Sequence, residues 1–214
     1  NSGIITSGGF IHFNTNSNLT NTGTINSGNH IELNSSSVTN DGTINVENNY
    51  FNVNSNGNLT NNGDITLDNG DFNMNSGGTI TNNGSVTVDG KINFNSGGNV
   101  YNNCKMTCTE MSEFNSGNIN FESGYFKSDT RIQINGGSNT QLKNGSMLST
   151  PEVYLFTNIY GQGALNSIKA PNEFRLSNVD VSGAIEVSTN NLNNLSNTPL
   201  NQLFVNGATL VGVG

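Results

Sequence analysis

Hydrophobic and polar residues alternate along most of the first 125 positions, in short runs separated by asparagine and glycine. Ile65 and Leu67 flank a polar residue, and Phe72 and Met74 repeat this pattern a few positions later. A spacing of two is typical of β-strands that bury one face. Tight turns between the runs are predicted where glycine can accept a positive φ at little cost, at Asn62-Gly63, Asn69-Gly70 and Gly77-Gly78.

A first motif, apolar-Thr-Asn-x-Gly-x-apolar, recurs at a nearly fixed interval. It reads LTNTGTI at 19–25, VTNDGTI at 38–44, LTNNGDI at 59–65 and ITNNGSV at 80–86, with a degenerate copy, VYNNCKM, at 100–106. The glycine position of the motif is occupied in steps of 19 to 21 residues by Gly3, Gly23, Gly42, Gly63, Gly84 and Cys104. A period in this range indicates a repeat architecture.

A second motif, apolar-x-apolar-Asn-Ser/Thr, keeps phase with the first. It places one asparagine in each of six successive repeats, at Asn14, Asn34, Asn54, Asn75, Asn95 and Asn115. The first motif supplies another such column, Asn21, Asn40, Asn61, Asn82 and Asn102. Stacked amides can donate to one neighbour and accept from the other, so the sequence predicts structural asparagine ladders, with a polar binding face as the functional alternative.

About three short strands in every 20 to 21 residues describe one coil of a parallel β-helix. A left-handed hexapeptide helix would place an apolar residue at every sixth position, and that pattern is absent. We therefore predict an all-β fold, a single-stranded right-handed parallel β-helix of nine to ten coils. The whole chain, 1–214, is expected to form one domain, with regular repeats over 1–125 and degenerate coils with a C-terminal cap over 126–214. The stretch 190–200 breaks phase and is expected to form a loop or one helical turn.

The composition excludes several classes of protein. The chain has 45 asparagines and 26 glycines, and its seven Lys and Arg stand against fifteen Asp and Glu, which argues against a nucleic-acid partner. No apolar run is long enough to span a membrane. Two cysteines do not make a disulfide scaffold. Cys104 and Cys108 are too far apart along an extended strand to be bridged, so we predict two free thiols.

An acidic column is the one candidate for a metal. Glu47, Asp68 and Asp89 each follow the second inward residue of a strand, at intervals of 21 residues. Stacked carboxylates repel each other unless water or a cation lies between them. Calcium is therefore a hypothesis for this column, and a solvated acidic corner is its alternative. No other cofactor is predicted.

Catalytic signatures are weak. Polysaccharide lyases and hydrolases need basic residues or clustered carboxylates on one face, and the basic residues here are scattered. A site could assemble in the second half from Glu110, Lys127, Asp129 and Arg131, but no motif marks one. His12 and His30 occupy nonequivalent positions of neighbouring coils, without a partner at metal-ligand spacing, and are predicted to have a surface role. We expect a protein without enzymatic activity.

The recurring text LTNxGTI and NSGGxITNNG resembles the coils of filamentous-haemagglutinin-like adhesins and, more closely, Asn-rich repeats of Bacteroidetes surface proteins that occur beside a LruC-type domain. The resemblance covers about residues 1–125. It implies a bacterial, secreted or cell-surface rod with an unknown surface ligand, either a glycan or a host or cell-surface protein. The chain begins inside a coil, so we expect a piece of a larger protein. The alternative is a glycan-binding or polysaccharide-processing β-helix with its site in the irregular C-terminal half.

Overall fold

The computed structural model describes residues 1–177, 181–194, 204–206 and 209–212, and in them the chain winds into a parallel β-solenoid of about nine coils. Each coil contributes strands to three faces. Face 1 holds β2 (Ile11–Asn14), β5 (Ile31–Ser35), β8 (Asn49–Ser55), β11 (Gly70–Ser76), β14 (Ile92–Ser96), β21 (Glu152–Leu155), β23 (Glu173–Leu176), β25 (Asn191–Asn194) and β27 (Thr209–Gly212). Face 2 holds β3 (Asn18–Asn21), β6 (Ser37–Asn40), β9 (Leu59–Asn61), β12 (Ile80–Asn82) and β15 (Val100–Asn102).

Face 3 and four longer strands complete the solenoid. Face 3 holds β1 (Ile4–Ser7), β4 (Thr24–Ser27), β7 (Thr43–Val46), β10 (Asp64–Leu67), β13 (Val86–Val88), β16 (Met106–Cys108), β18 (Tyr125–Ser128), β20 (Met147–Ser149) and β26 (Phe204–Asn206). Strands β17 (Ser112–Glu122) and β19 (Arg131–Lys143) continue from face 1 into face 2, whereas β22 (Asn158–Ala170) and β24 (Val181–Thr189) continue from face 2 into face 3. Within the described residues, no helix is long and apolar enough to cross a membrane.

The coils stack in register, so each residue lies over its equivalent in the neighbouring coil. Leu59 pairs with Val38 on one side and with Ile80 on the other, and all three belong to the first sequence motif. Every strand pairing of the solenoid is parallel, as the repeat period predicts. The all-β parallel solenoid expected from the sequence is therefore confirmed.

The inward residues form one continuous hydrophobic core. Phenylalanines from four successive coils of face 1 stack along it, with ring centroids 5.1 to 5.9 Å apart, and all four are almost fully buried: Phe51, Phe72, Phe94 and Phe114. Each buried apolar side chain of this size stabilises the fold by about 1.5–3 kcal/mol. Because a coil shares its core and its backbone hydrogen bonds with two neighbours, the solenoid is stable only as a stack.

The degenerate half keeps the same winding. Val153 and Leu155 pair with Ile132 and Ile134 of the preceding coil, although no Asn-Ser follows them. Parallel pairing continues past two register shifts, one between Ser116 and Asn118 and one between Gly161 and Asn166. In the stretch 190–200, residues 191–194 form strand β25 rather than a loop or helical turn, and 195–200 lie outside the described residues.

Both thiols are free, as predicted. Cys108 takes the inward position of Val88 and is 3% exposed, whereas Cys104 is partly exposed. Burial raises the pKa of the Cys108 thiol, and the hydrogen bond with Ser112 Oγ, at 2.8 Å, opposes that rise only in part. The thiolate is the reactive species, so the two cysteines should differ in reactivity.

We expect iodoacetamide at pH 8 to modify Cys104 of the folded protein at least about tenfold faster than Cys108, because Cys108 is both buried and protonated. Peptide mass spectrometry over time measures both rates in one sample. The variant Cys104→Ser serves as the control, because it should incorporate label only after denaturant is added. Equal rates for the two thiols in the folded protein would contradict the prediction.

Candidate functional site

A groove runs along the outside of the solenoid where the chain turns from face 1 into face 2. One row of its lining is the predicted asparagine column Asn14, Asn34, Asn54, Asn75, Asn95 and Asn115. Beside this row lie the hydroxyl groups of Thr15, Ser35, Ser55, Ser76 and Ser96, and the loops that follow add further Asn, Ser and Gly. The groove has a volume of about 650 Å³ and spans six coils. We call it the asparagine groove.

The amides of this row form a hydrogen-bonded ladder with a single direction. Asn75 Nδ2 donates to Asn54 Oδ1 at 2.9 Å, and Asn95 Nδ2 donates to Asn75 Oδ1 at 2.9 Å. Asn54 and Asn115 repeat the contact at 2.9 and 2.8 Å. Each amide donates toward the preceding coil, so the predicted structural ladder is present.

The ladder is shifted by one coil from its predicted bounds. Asn34 does not continue it to Asn14, because Asn34 Nδ2 donates to Glu32 Oε1 at 3.0 Å within its own strand. At the other end, Asn135 Nδ2 donates to Asn115 Oδ1 at 2.8 Å and extends the ladder into the degenerate half. The bonded row therefore runs from Asn34 to Asn135.

The second column forms a buried ladder of opposite direction. Asn21, Asn40, Asn61, Asn82 and Asn102 are at most 3% exposed. Asn61 Nδ2 donates forward to Asn82 Oδ1 at 2.8 Å and also to the carbonyl oxygen of Gly63 at 3.0 Å. Because both N–H groups of the Asn61 amide are used inside the protein and the column is buried, this column has a structural role only.

The serine hydroxyls in the groove are already committed to the backbone. Ser55 Oγ donates to the carbonyl oxygen of Ser36 at 2.8 Å, and Ser76 Oγ donates to that of Gly57 at 2.6 Å. Gly78 N in turn donates to Ser76 Oγ at 3.1 Å. Hydrogen-bonding capacity for a ligand therefore comes from the asparagine row rather than from the serines.

An aromatic cluster lies on face 1 beside the first coils of the groove. The ring of His30 stacks between Phe10, at 5.3 Å, and Tyr50, at 4.6 Å between centroids. His12 Nε2 lies 2.8 Å from His30 Nε2 and 3.6 Å from Glu32 Oε2. The histidines are thus in direct contact, which the sequence did not indicate, although His12 is on the surface as predicted.

The acidic column occupies the end of three face 3 strands. Glu47, Asp68 and Asp89 follow β7, β10 and β13, which pair in register. Asp89 Oδ1 accepts a hydrogen bond from Thr109 Oγ1 at 2.8 Å. Among the described residues there is no group of three or more His, Cys, Asp or Glu side chains that could hold a metal ion. Calcium binding by this column stays a prediction.

Of the four residues considered for a catalytic site, two pair with each other and two pair with residues outside the set. Lys127 Nζ lies 2.5 Å from Asp129 Oδ1, and Glu110 lies 3.8 Å from Lys91 Nζ. Arg131 donates from Nε and Nη2 to Glu152 Oε2 at 2.9 and 2.7 Å. Lys91–Glu110 and Arg131–Glu152 join neighbouring coils, whereas Lys127–Asp129 lies within one coil. The structure therefore does not bring the four residues together as one free set of acids and bases.

A network around Tyr154 continues these pairs on the C-terminal coils of face 1. Arg131 and Arg175 lie over the Tyr154 ring at 4.2 and 5.1 Å, and Tyr154 Oη donates to Glu173 Oε2 at 2.8 Å. Burial and this hydrogen bond raise the pKa of Tyr154. Burial alone would raise the pKa of Glu173, but hydrogen bonds from Tyr154 and Asn193 hold it below its usual range. The network stabilises the stacked coils.

Comparisons of the chain with protein-family models, with curated proteins and with solved structures give no match. The parallel β-solenoid and its asparagine ladders are therefore established from the structure itself. The asparagine groove is an extended concave feature that is lined throughout by Asn, Ser, Thr and Gly.

Proposed function

We propose that this chain is a non-catalytic, rod-forming module of a secreted or cell-surface bacterial protein, similar in role to an adhesin stalk. The observation that carries the proposal is the unbroken parallel stack, in which one hydrophobic core runs from coil to coil. A solenoid of this kind is rigid along its axis because each coil is held to the next by backbone bonds. At a strand spacing of about 4.8 Å, nine coils make a rod of about 45 Å.

The asparagine ladders support a mechanical role. They add side-chain hydrogen bonds at fixed positions of successive coils, in the way that amide ladders stabilise cross-β stacks. The buried ladder contributes a side-chain hydrogen bond of 2.8 Å between amides at each step from Asn21 to Asn102. A stack tied together inside and outside keeps its length under load, which a stalk requires.

The charge arrangement supports a module without catalysis. Five of the seven basic residues lie within 4 Å of a carboxylate. General acid and base catalysis needs titratable groups that converge on one substrate position. Three of these ion pairs join neighbouring coils and help to align them, namely Lys91–Glu110, Arg131–Glu152 and Lys143–Glu122. The pairs Lys127–Asp129 and Arg175–Glu173 lie within one coil.

The proposed location follows from the resemblance of the repeats to those of surface adhesins and Bacteroidetes surface proteins. An exported rod would present its faces to a surface ligand, a glycan or a host or cell-surface protein, as part of a larger protein. Export also gives a reason for the low charge and the high asparagine content, because a rod of uncharged amides keeps its hydrogen bonds when salt concentration varies.

Surface labelling of intact cells tests the proposal. Cells producing the full-length protein should bind an antibody raised against this module without permeabilisation, and brief external protease should remove the signal. A cytoplasmic protein labelled in parallel is the control for leakage. Labelling only after permeabilisation would reject the proposed location, and release of reducing ends from neutral or acidic polysaccharides by the purified module would reject the absence of catalysis.

A further inference from the structure

We propose that the asparagine groove binds an uncharged, extended polysaccharide whose chain lies along the axis of the solenoid. The inference deepens the proposed function. It rests on that function only for the location, outside the cell, at which the protein meets the polysaccharide. It also moves the glycan-binding alternative from the irregular C-terminal half to the regular coils, because the groove is formed by residues between Asn14 and Asn115.

The ladder has unused hydrogen-bonding capacity. An amide side chain has two N–H donors and two acceptor positions on its oxygen. In the ladder, Asn75 uses one donor toward Asn54 and one acceptor position toward Asn95. One N–H and one lone pair of each rung are left for the groove. A hydroxyl group is both donor and acceptor, so neighbouring rungs can donate to it and accept from it.

The hydrogen-bonding capacity repeats along the axis. The six groove asparagines follow at the strand spacing of about 4.8 Å and cover about 24 Å, and all of them except Asn14 are rungs of the ladder. A compact ligand would use one or two rungs, whereas a linear polymer with hydroxyls on each unit can use all of them. Many weak contacts along one chain combine through high effective concentration. The groove therefore favours a polymer over a monosaccharide.

The lining of the groove carries no charge. The sixteen residues of the lining are all Asn, Ser, Thr or Gly. The chain carries a net charge of −8, and Glu32 and Glu113 stand on face 1 beside the row. An acidic polysaccharide would meet repulsion and no cation in the groove, whereas a neutral one loses little on leaving water because amides replace its hydrogen bonds.

The aromatic cluster supplies an apolar surface for a sugar at one end of the groove. Phe10 is 59% exposed and lies directly before β2, whose outward residues are His12 and Asn14. The rings of Phe10 and His12 are in contact. Sugar rings present C–H faces that pack against the apolar faces of aromatic rings. A polysaccharide that extends beyond the first rung would meet this cluster.

Affinity electrophoresis tests the proposal with defined probes. Gels containing soluble mixed-linkage β-glucan or galactomannan should retard the protein, and gels containing polygalacturonate should not. Asn75→Ala should reduce the retardation constant at least about tenfold, because it removes a central rung and interrupts cooperative contact. Asn73→Ala is the matched control, since Asn73 lies on the same strand and has the same kind of ladder bonds to Asn52 and Asn93, but does not line the groove.

A second variant tests the groove while leaving the hydrogen bonds of the ladder intact. Asn56 is an exposed lining residue of the loop after β8, so Asn56→Asp adds a charge to the groove without breaking a rung. It should also weaken retardation by the neutral probes. Absence of retardation by both neutral probes, equal retardation by polygalacturonate, or equal losses in Asn73→Ala and Asn75→Ala would each overturn the proposal. Surface labelling is independent of these gels, so failure of one proposal is distinguishable from failure of the other.

Discussion

Replacing Asn61 with Asp is expected to lower the free energy of unfolding at pH 7 by at least about 3 kcal/mol, because it leaves a buried charge with no opposite charge beside it. Asn61 is fully buried, and its Nδ2 donates to Asn82 Oδ1 and to the carbonyl oxygen of Gly63. Aspartate has nearly the same shape as asparagine but only acceptor oxygens when ionised. Two former hydrogen bonds therefore become contacts between oxygens at a fully buried position.

The loss should be smaller in acid. Desolvation and the facing oxygens raise the pKa of the introduced carboxyl in the folded state above its unfolded value of about 3.9. The folded state then binds the proton more tightly, so the variant is relatively most stable below the unfolded pKa and loses stability as pH rises toward the folded pKa. Urea unfolding of the variant and the parent at several pH values between 3 and 8 measures this difference.

Asn95→Asp is the matched control for the buried position. Asn95 belongs to the exposed ladder, where it donates to Asn75 and accepts from Asn115, so water can solvate the new carboxylate. We expect a cost of about 1 kcal/mol or less, with little pH dependence. Equal destabilisation by the two substitutions at pH 7 would show that the buried ladder does not depend on its donors.

The repeat explains why so much of the fold is predictable from the sequence. In a solenoid, a residue contacts its equivalents one period before and after it. The spacing of Leu59, Ile80 and Val100 therefore predicts directly that they pair in this order. The same reasoning places Asn61 over Asn40 and beneath Asn82. It also extends to the degenerate half, where Ile132 and Val153 keep the inward position although the surrounding motif is lost.

The surface contacts that were missed join unlike residues. Phe10, His30 and Tyr50 share one outward position in three coils, but their different identities conceal the column in a search for repeated motifs. The contact between His12 and His30 is diagonal, between different positions of neighbouring coils. Spacing along the chain predicts which strands are neighbours, whereas contacts between unlike surface side chains also depend on their rotamers.

The asparagine row illustrates the same limit within the candidate site. Its register follows from the period, yet its first bond is lost because Glu32, two residues before Asn34, competes for the amide. Asn135 joins the ladder although Gly136 replaces the usual Ser or Thr after it. The concavity beside the row depends on how the loops containing Asn56 and Gly77 leave the strand, which a pattern of polar residues does not specify.

Replacing Gly63 with Ala is expected to destabilise the solenoid by about 1–3 kcal/mol, as overpacking does in a well-packed interior. A Cβ at position 63 would lie 1.9 Å from the carbonyl oxygen of Gly42, and that oxygen belongs to the backbone and has no rotamer with which to move away. A Cβ added at Gly84 would lie equally close to the carbonyl oxygen of Gly63. The column is thus glycine because successive coils touch there, not because of an unusual φ.

The effect of Gly63→Ala should also reach the buried ladder, since the carbonyl oxygen of Gly63 accepts from Asn61 Nδ2. A backbone shift that relieves the clash lengthens this bond, so the midpoint of thermal unfolding should fall and the amide of Asp64, which is bonded to Gly42 O, should exchange faster. Gly137→Ala is the control, because its Cβ would meet the nearest atom at an ordinary 3.6 Å. An unchanged midpoint in Gly63→Ala would mean that the corner has room to separate the coils, and the close contact would then not be what keeps this position glycine.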